Sequence, residues 1–473
     1  MKKQILVALC LLASLPARAE VKGHATQFNT PRGTVEQCVV LDRFPDGVYK
    51  KKDDEKEEEF CKIDLYDGKT AMCPKTWSTS PGTIVVSTKK SALSVPSYES
   101  QRCGSKSGHD KLAKFKNTMN GPKTSGTFST ASLLYYHFAR YFDTDLIVPP
   151  AVYRTIDKDA HFERVSAHAK GTGMNAAGWS LQRAAEKNPA SYKPTDELFT
   201  PDRRQIYGVL LDESGTRYGA EFNGTRASGW GAGQNNDFQK TPGFMALRSA
   251  QPLEQAIQEG LSQSRQDPKI KAALGPSPVP GLQMVYWMKE ITEITLLDYI
   301  FQQQDRIGNI DYVWTWVYVA DGEAHDKRVK DAGLKDLPRA KMGAIKPSAE
   351  IAGDNPILLQ RTGVGDNDAG GRTYANFTAR TRMLEKIHHY NDGTYRRLMR
   401  LAADFQRQGP LYQYVQSTFG LTSFQLSQAV NNTIAAAKIV HDTCASGAMR
   451  FDLYPEDFLR GNVQEHQVSC DVL

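Results

Sequence analysis

The chain has 473 residues, of which 40% are hydrophobic, with 59 Lys and Arg against 53 Asp and Glu. A charge balance this small argues against a dedicated polyanion binder, so no nucleic-acid partner is expected. The length and apolar content allow two or three packed units with substantial cores.

The first 19 residues are typical of a bacterial signal peptide. Lys2 and Lys3 form a basic segment, residues 5–15 an apolar one, and residues 17–19 an Ala-x-Ala cleavage site. The apolar segment is too short to cross a bilayer and no later stretch is longer, so no membrane span is expected. Cleavage removes Lys2, Lys3 and Arg18 and leaves 56 basic and 53 acidic residues. The sequence predicts a periplasmic or secreted protein.

Cysteine usage agrees with export. Cys10 leaves with the signal peptide, and four of the other cysteines lie before residue 104 while two lie near the C-terminus: Cys38, Cys61, Cys73, Cys103, Cys444 and Cys470. An even number in an oxidising compartment favours disulfides, with two N-terminal bridges and Cys444–Cys470. A zinc site is less favoured because no C-x₂-C pair occurs.

Residues 20–103 are rich in turn formers, carry a charged run at 50–59 and contain the β-branched run Thr83 to Val86. They predict a small disulfide-stapled β-rich module. Residues 104–280 predict an N-lobe-like region with a long insertion. Within the insertion, Gly229, Gly231 and Gly233 lack the flanking strand and helix of a dinucleotide site and predict a mobile loop.

A turn framed by Gly104 and Gly108 precedes a predicted strand in which Lys114 and Lys116 share one face. A glycine-bearing turn and a strand lysine can place backbone N–H groups and an ammonium against phosphates. A plain surface turn is the alternative. Residues 129–142 then predict an amphipathic helix, and Pro149-Pro150 force an extended entry into a short strand.

Residues 281–473 predict a helical region with two polar strings. A buried helix over 282–304 ends at Asp305-Arg306-Ile307-Gly308-Asn309, and a strand over 357–364 leads into Gly365-Asp366-Asn367-Asp368. Amphipathic helices over 377–407 and 423–441 follow, and then a disulfide-stapled tail. Either string is also a good turn, and the second resembles the start of a calcium loop, although Phe377 stands at its twelfth position.

In this order the strings resemble the atypical kinases, which include the secretory-pathway (Golgi) kinases, the HipA-like kinases and the phosphatidylinositol kinases. The resemblance rests on four features and covers about a third of the chain: the strand lysine Lys114, the Ile147-Val148-Pro149 run, Asp305 with Asn309, and Asp366-Asn367-Asp368. It implies an α+β, bilobal kinase-like fold in which the N-terminal module precedes the N-lobe and the helical residues form the C-lobe.

The resemblance also implies the chemistry of phosphoryl transfer, with ATP and Mg²⁺ or Mn²⁺ as cofactors. Asp305 is then the catalytic carboxylate and Lys114 contacts the phosphates, with Gly104, Gly108 and Lys116 as further cofactor-binding residues. Asn309, Asp366 and Asp368 are the expected metal ligands. The acceptor is an unidentified hydroxyl of a protein, glycan or lipid. The alternative is a catalytically inactive kinase-like envelope protein that acts as a binding or scaffold module.

Two positions depart from the family pattern. Asp305 and Asn309 are four residues apart where the family usually has five, so either the loop is one residue shorter or Asp311 shares the task. The helix after Lys114 contains no glutamate, and Glu163 or Glu221 are the proposed ion-pair partners of that lysine.

Overall fold

The computed structural model describes residues 21–212, 215–341, 345–348, 351, 353–370 and 375–470. The predicted signal peptide lies outside these residues. Two antiparallel sheets, one short parallel strand pair and the helices that pack against them make up most of the described chain.

The first sheet contains seven strands and is antiparallel throughout, with the spatial order β1-β2-β6-β7-β5-β4-β3. Its strands are β1 (Gly23–Asn29), β2 (Val35–Leu41), β3 (Thr70–Pro74), β4 (Thr83–Ser87), β5 (Asp110–Asn117), β6 (Ala151–Asp157) and β7 (Gln205–Leu211). Residues 20–103, expected as a module of their own, therefore share one sheet with the strand that carries Lys114 and Lys116.

The remaining strands form a second sheet and one short pair. They are β8 (Thr216–Arg217), β9 (Ile310–Ala320), β10 (Glu323–Arg328), β11 (Asp354–Val364), β12 (His389–Tyr390) and β13 (Arg450–Phe451). Strand β9 pairs with β8, β10 and β11, and β12 pairs with β13. The strand predicted over 357–364 is present as β11.

Helices occupy the connections and most of the C-terminal half. They are α1 (Lys51–Cys61), α2 (Val95–Arg102), α3 (Ser129–Phe142), α4 (Lys158–Arg164), α5 (Gly173–Lys187), α6 (Ala220–Asn223), α7 (Ala232–Phe238), α8 (Pro242–Leu247), α9 (Leu253–Ser264), α10 (Pro268–Leu274), α11 (Gly281–Phe301), α12 (Ala332–Lys335), α13 (Phe377–Arg380), α14 (Asp392–Gln406), α15 (Pro410–Thr418), α16 (Ser423–Ala445) and α17 (Pro455–Leu459).

Helix α11 is the centre of the helical part. Its residues are buried on nearly every side, so it is a core helix, in agreement with the buried helix that the sequence predicts. Helices α3, α8 and α16 pack against it, and α3 also packs on β6 and β7 of the first sheet. The largest hydrophobic cluster consequently runs from the first sheet through α3 to α11. This continuity fixes the end of α11, where Asp305 follows, relative to the strand lysines.

Three disulfides are present: Cys444–Cys470, which was predicted, and two N-terminal bridges, Cys38–Cys61 and Cys73–Cys103, whose pairing the sequence left open. Disulfides of this kind fit an extracellular or periplasmic protein. In the described part of the chain, none of the helices combines the length and the apolar character that a membrane crossing requires.

Candidate functional site

Two lysines of β5 converge on one aspartate of the loop after β11. The Nζ atoms of Lys114 and Lys116 lie 3.1 Å and 2.8 Å from Oδ1 of Asp366. Both lysine side chains are buried, whereas the Asp366 side chain is 39% exposed. The shared face predicted for the two lysines thus points at the second polar string, about 250 residues away in the sequence.

The loop itself is held in an uncommon conformation. Asp366 has a φ of +49°, a left-handed value that costs a non-glycine residue of the order of 1 kcal/mol or more. The backbone oxygen of Asp368 accepts a hydrogen bond of 2.8 Å from the N–H of Phe128, just before α3. Strain that surrounding contacts maintain in this way is common at ligand sites.

Asp368 lies deeper than Asp366. Its Oδ1 contacts the ammonium of Lys116, and both side chains are almost fully buried. Its Oδ2 is also buried, and none of the described residues donates a hydrogen bond to it. A buried carboxylate oxygen with no donor is costly unless a cation or a donor satisfies it.

The two aspartates of the candidate site differ in their pKa values. The ammonium groups of Lys114 and Lys116, with a smaller contribution from Lys75, hold the pKa of Asp366 well below its usual range. Burial raises the pKa of Asp305, the negative charge of Asp366 raises it further, and a hydrogen bond from Trp230 opposes the rise. Neighbouring carboxylates with divergent pKa values are more typical of acid–base sites than of plain surface turns.

Gln303 connects the two polar strings. Its side chain accepts a hydrogen bond of 3.0 Å from the N–H of Asp305 and donates one of 2.8 Å to the backbone oxygen of Asp366. The buried amide of Gln303 therefore links one loop to the other. The sequence contains no signal for this role, because a glutamine at a helix end is ordinary.

Arg306 is the buried support of both loops. Its guanidinium binds the carboxylate of Asp298 at 3.0 Å, the backbone oxygen of Gly365 at 2.8 Å and Oδ1 of Asn367 at 2.7 Å. Asn367 therefore faces the interior, while Asp366 and Asp368 on either side face the lysines. Arg306 orients the loops and does not reach the open side of the site.

Asn309 is tied to its own loop. Its Nδ2 donates to the backbone oxygen of Asp305 at 2.7 Å, and its Oδ1 accepts from Arg217 at 2.6 Å. Arg217 also binds the carboxylate of Asp311 at 2.6 Å. To bind a metal ion through Oδ1, Asn309 would have to give up its contact with Arg217. Asp311, the other candidate for this role, is paired with the same arginine.

The turn of Gly104 and Gly108 lies at the other end of β5. It is exposed and follows α2, and Gly108 precedes Lys114 by six residues, or about 20 Å along an extended strand. The first residue of β5, Asp110, pairs with Ser87 at the far end of β4. The structure therefore does not bring Gly104 and Gly108 to the lysines and aspartates.

Another loop occupies the place expected for that turn. Residues 75–82 connect β3 and β4, and the backbone N–H of Lys75 closes this loop on the oxygen of Gly82 at 2.7 Å. A Cβ atom on Gly82 would lie 4.0 Å from Cγ of Lys116, so the loop passes directly beside that lysine. Sequence reasoning missed it because it holds a single glycine among Ser, Thr and Pro.

The loop is clamped from outside by α5. The Nδ2 atom of Asn175 donates to the backbone oxygens of Lys75 and Ser80 at 3.3 Å and 3.2 Å. Gly178 of the same helix packs so closely on Pro81 that a side chain there would overlap the proline ring. The insertion after β6 therefore supports a loop that borders the site.

The glutamates proposed as partners of Lys114 lie elsewhere. Glu163 binds the exposed Arg32, and Glu221 is buried beneath Gly219, whose N–H it accepts. Asp366 takes their place as the acidic neighbour of Lys114. Helix α3, which the family pattern would make the source of the acid, supplies none.

The residues fit a divalent cation in composition. Asp366 and Asp368 offer carboxylate oxygens, the ligands that Mg²⁺ prefers, and Oδ2 of Asp368 lacks a donor among the described residues. No group of three or more His, Cys, Asp or Glu in the described chain forms a ready-made metal cluster. The calcium-loop alternative lacks its entering helix, because the strand β11 precedes Asp366.

Comparison with protein-family models finds no match for this chain, and no curated protein matches its sequence. The argument for its function therefore rests on the site.

Proposed function

We propose that this protein transfers a phosphoryl group from ATP, with Mg²⁺ or Mn²⁺, to the hydroxyl of an acceptor. The observation that carries the proposal is the convergence of Lys114 and Lys116 on Asp366, beside the partly buried carboxylate of Asp305. Phosphoryl transfer depends on positioning and on neutralising the phosphates, and these residue types supply both. The resemblance to atypical kinases remains part of this proposal.

The two lysines provide the positive charge. In the absence of nucleotide they are neutralised by Asp366 and Asp368. Phosphate oxygens can take over these contacts, because lysine ammonium groups bind phosphate as readily as carboxylate. The exchange frees the carboxylate oxygens of the two aspartates for the cation, which neutralises charge on the phosphates when bound.

The strand arrangement supports the same assignment. Lys114 lies on the third strand of the meander β3, β4 and β5, and the loop of residues 75–82 joins the first two strands. Protein kinases likewise carry the phosphate-binding lysine on their third strand and cover the phosphates with a loop. We assign the phosphate-covering role to residues 75–82, where Lys75 already acts electrostatically on Asp366.

Asp305 serves as the acceptor-side carboxylate. Its raised pKa makes it a better proton acceptor than an exposed aspartate, and it is accessible from the side of Trp230. Gln303 and Asn309 fix its backbone, so the carboxylate approaches the phosphates at a set position. Such positioning is the main contribution of a protein to this reaction.

The alternative function is a kinase-like binding or scaffold module without catalysis. The contact between Arg217 and Oδ1 of Asn309 favours it, because that oxygen is the second metal ligand the reaction needs. Three disulfides indicate a compartment in which ATP is scarce, which favours it further.

Nucleotide-dependent thermal unfolding tests the proposal. ATP with Mg²⁺ or Mn²⁺ at 100 times its Kd should stabilise the native chain by about 2.7 kcal/mol and raise Tm by a few degrees. Asp366→Ala should abolish the metal-dependent part of this shift. Asp442→Asn, which changes an exposed aspartate on α16, is the control and should leave it intact.

Transfer from γ-³²P-labelled ATP separates the two functions. The wild type should label an acceptor, and Asp305→Asn should bind nucleotide normally while labelling falls at least a hundredfold. Nucleotide binding without labelling of any protein, glycan or lipid fraction would favour the scaffold function. No thermal shift with either metal would reject the proposed phosphoryl transfer.

A further inference from the structure

The loop that faces Asp305 on its open side has an unusual backbone. Within ten residues, Gly224, Arg226, Gly229 and Gly231 all have φ values between +52° and +81°. The carboxylate of Asp237 at the end of this segment accepts hydrogen bonds from the N–H and the hydroxyl of Ser228 at 2.8 Å and 3.0 Å. The glycine-rich segment is thus an anchored loop. The proposed phosphate-binding contacts do not involve it.

The loop presents one aromatic ring to solvent. Trp230 is 53% exposed, the largest value among the exposed large hydrophobic side chains of the described chain. Its indole N–H donates to Oδ1 of Asp305 at 3.3 Å, and its ring meets Phe377 edge to face with centroids 5.1 Å apart. Phe377 is itself buried, so it holds the indole in place. A fixed, exposed aromatic face therefore lies directly beside the acceptor-side carboxylate.

Two arginines contact the loop that follows Asp305. The guanidinium of Arg226 lies against Gly308, where any side chain would overlap it, and Arg217 binds the Gly308 oxygen. Both arginines are exposed and contact the polar string that begins with Asp305. The exposed side of this string thus carries one aromatic plane, a carboxylate and guanidinium groups.

We propose that Trp230 is the platform of an acceptor subsite for a saccharide ring, an inference that rests on the proposed phosphoryl transfer. A sugar ring has an apolar C–H face that can cover an indole and a rim of hydroxyls that can reach a carboxylate and guanidinium groups. This pairing matches the arrangement of Trp230, Asp305 and Arg226.

Other acceptors match it less well. An acyl chain needs a continuous apolar surface, but the immediate chain neighbours of Trp230 are Gly229 and Gly231. A peptide hydroxyl arrives on a short flexible side chain and gains little from a flat ring that is fixed beside the base. The saccharide ring is the class that uses both the plane and its polar border.

Equilibrium binding without nucleotide tests the platform by itself. Calorimetric titrations with maltotriose, cellotriose and chitotriose use the full chain and three variants: Trp230→Ala, Trp230→Phe and, as an aromatic control on β9, Tyr318→Ala. At least one trisaccharide should bind, with Kd raised roughly tenfold or more by Trp230→Ala. Trp230→Phe should retain most of the affinity, and Tyr318→Ala should leave it unchanged.

Labelling with γ-³²P-labelled ATP then identifies the acceptor class, with the same trisaccharides, a mixture of serine- and threonine-containing peptides, and dihexanoylphosphatidylglycerol as acceptors. Label in the trisaccharide fraction that Trp230→Ala removes supports the proposal. Failure of all three trisaccharides to bind, binding that Trp230→Ala leaves intact, or label confined to peptide or lipid overturns it. Saccharide binding in a chain that shows no ATP-dependent thermal shift would retain the platform while the proposed phosphoryl transfer fails.

Discussion

Asp305 and Asp366 are joined through the side chain of Gln303, which accepts the N–H of Asp305 at 3.0 Å and donates to the backbone oxygen of Asp366 at 2.8 Å. The two loops belong to different elements, the end of α11 and the end of β11. Their relative position is therefore fixed by a contact that neither element makes by itself.

Replacing Gln303 should show whether this contact contributes only to stability or also to phosphoryl transfer. Gln303→Leu keeps the volume but leaves a buried N–H and a buried carbonyl without partners, so we expect a loss of about 1–3 kcal/mol in the free energy of unfolding. Urea denaturation measures it. Labelling should fall more than ATP affinity, because the lysines stay in place. Equal losses in both would indicate that Gln303 is only structural.

Because Lys116 and Asp368 form a buried pair, we expect a single variant of the pair to lose more stability than the double variant. Lys116→Met leaves the Asp368 carboxylate buried without its ammonium partner, so we expect a loss of about 3–5 kcal/mol. Lys116→Met with Asp368→Asn should lose clearly less than Lys116→Met alone, because the double variant has no buried carboxylate without its ammonium partner at this position. Chemical denaturation at pH 7 compares them, and a double variant no more stable than Lys116→Met would contradict the pairing.

The pKa values of Asp305 and Asp366 predict that neutralising these two carboxylates has opposite effects on the free energy of unfolding. Because the pKa of Asp305 is raised in the folded chain, its ionised form costs stability above the ordinary value near 3.8. Asp305→Asn should therefore stabilise the protein at pH 7, and the gain should shrink as the pH falls toward the ordinary pKa. Urea denaturation between pH 4 and pH 7 measures this, and a destabilised Asp305→Asn at pH 7 would contradict it.

For Asp366 the sign is reversed. The lysines lower its pKa, so its ionised form contributes stability above the ordinary value near 3.8, and this contribution is lost as the pH falls toward the lowered pKa. Asp366→Asn should destabilise the protein at pH 7, and the deficit should become smaller in acid. Extending the denaturation series below pH 3.8 measures this change, and comparison with Asp305→Asn at the same pH values is the control.

The clamp between α5 and the loop of residues 75–82 predicts an effect on nucleotide affinity. Asn175→Ala removes the hydrogen bonds to the backbone oxygens of Lys75 and Ser80, so the loop should be less ordered and ATP should bind several-fold more weakly. Calorimetric titration with ATP and Mg²⁺ measures the change. Asn431→Ala, an exposed asparagine on α16, is the matched control. Unchanged affinity in Asn175→Ala would remove this loop from the nucleotide site.

The disulfide of the C-terminal tail predicts a loss of stability on its removal. Cys444 and Cys470 are separated by 26 residues, and replacing both by Ser should cost about 3–4 kcal/mol in the chain-entropy model. Thermal unfolding and peptide mapping without reductant test this. Two free thiols in the wild-type map would contradict the bridge.

Local sequence patterns predicted several elements because they depend on neighbouring residues alone. Alternation places Lys114 and Lys116 on one face of β5, and the apolar runs before the two polar strings form α11 and β11. The sequence predicts α11 as a buried helix, but its apolar positions do not show that neighbours on all its sides bury it. Periodicity cannot report how many neighbours a helix has.

By itself the sequence determined the order of the chemical groups, the face shared by the two lysines and the bridge between the two C-terminal cysteines. Only the tertiary structure decided that Asp366 and Asp368 neutralise those lysines, that residues 75–82 and not Gly104 and Gly108 border them, and that Trp230 stands beside Asp305. The physical reason is that these contacts join segments up to about 250 residues apart, and they form only when the first sheet, α3 and α11 pack into one core.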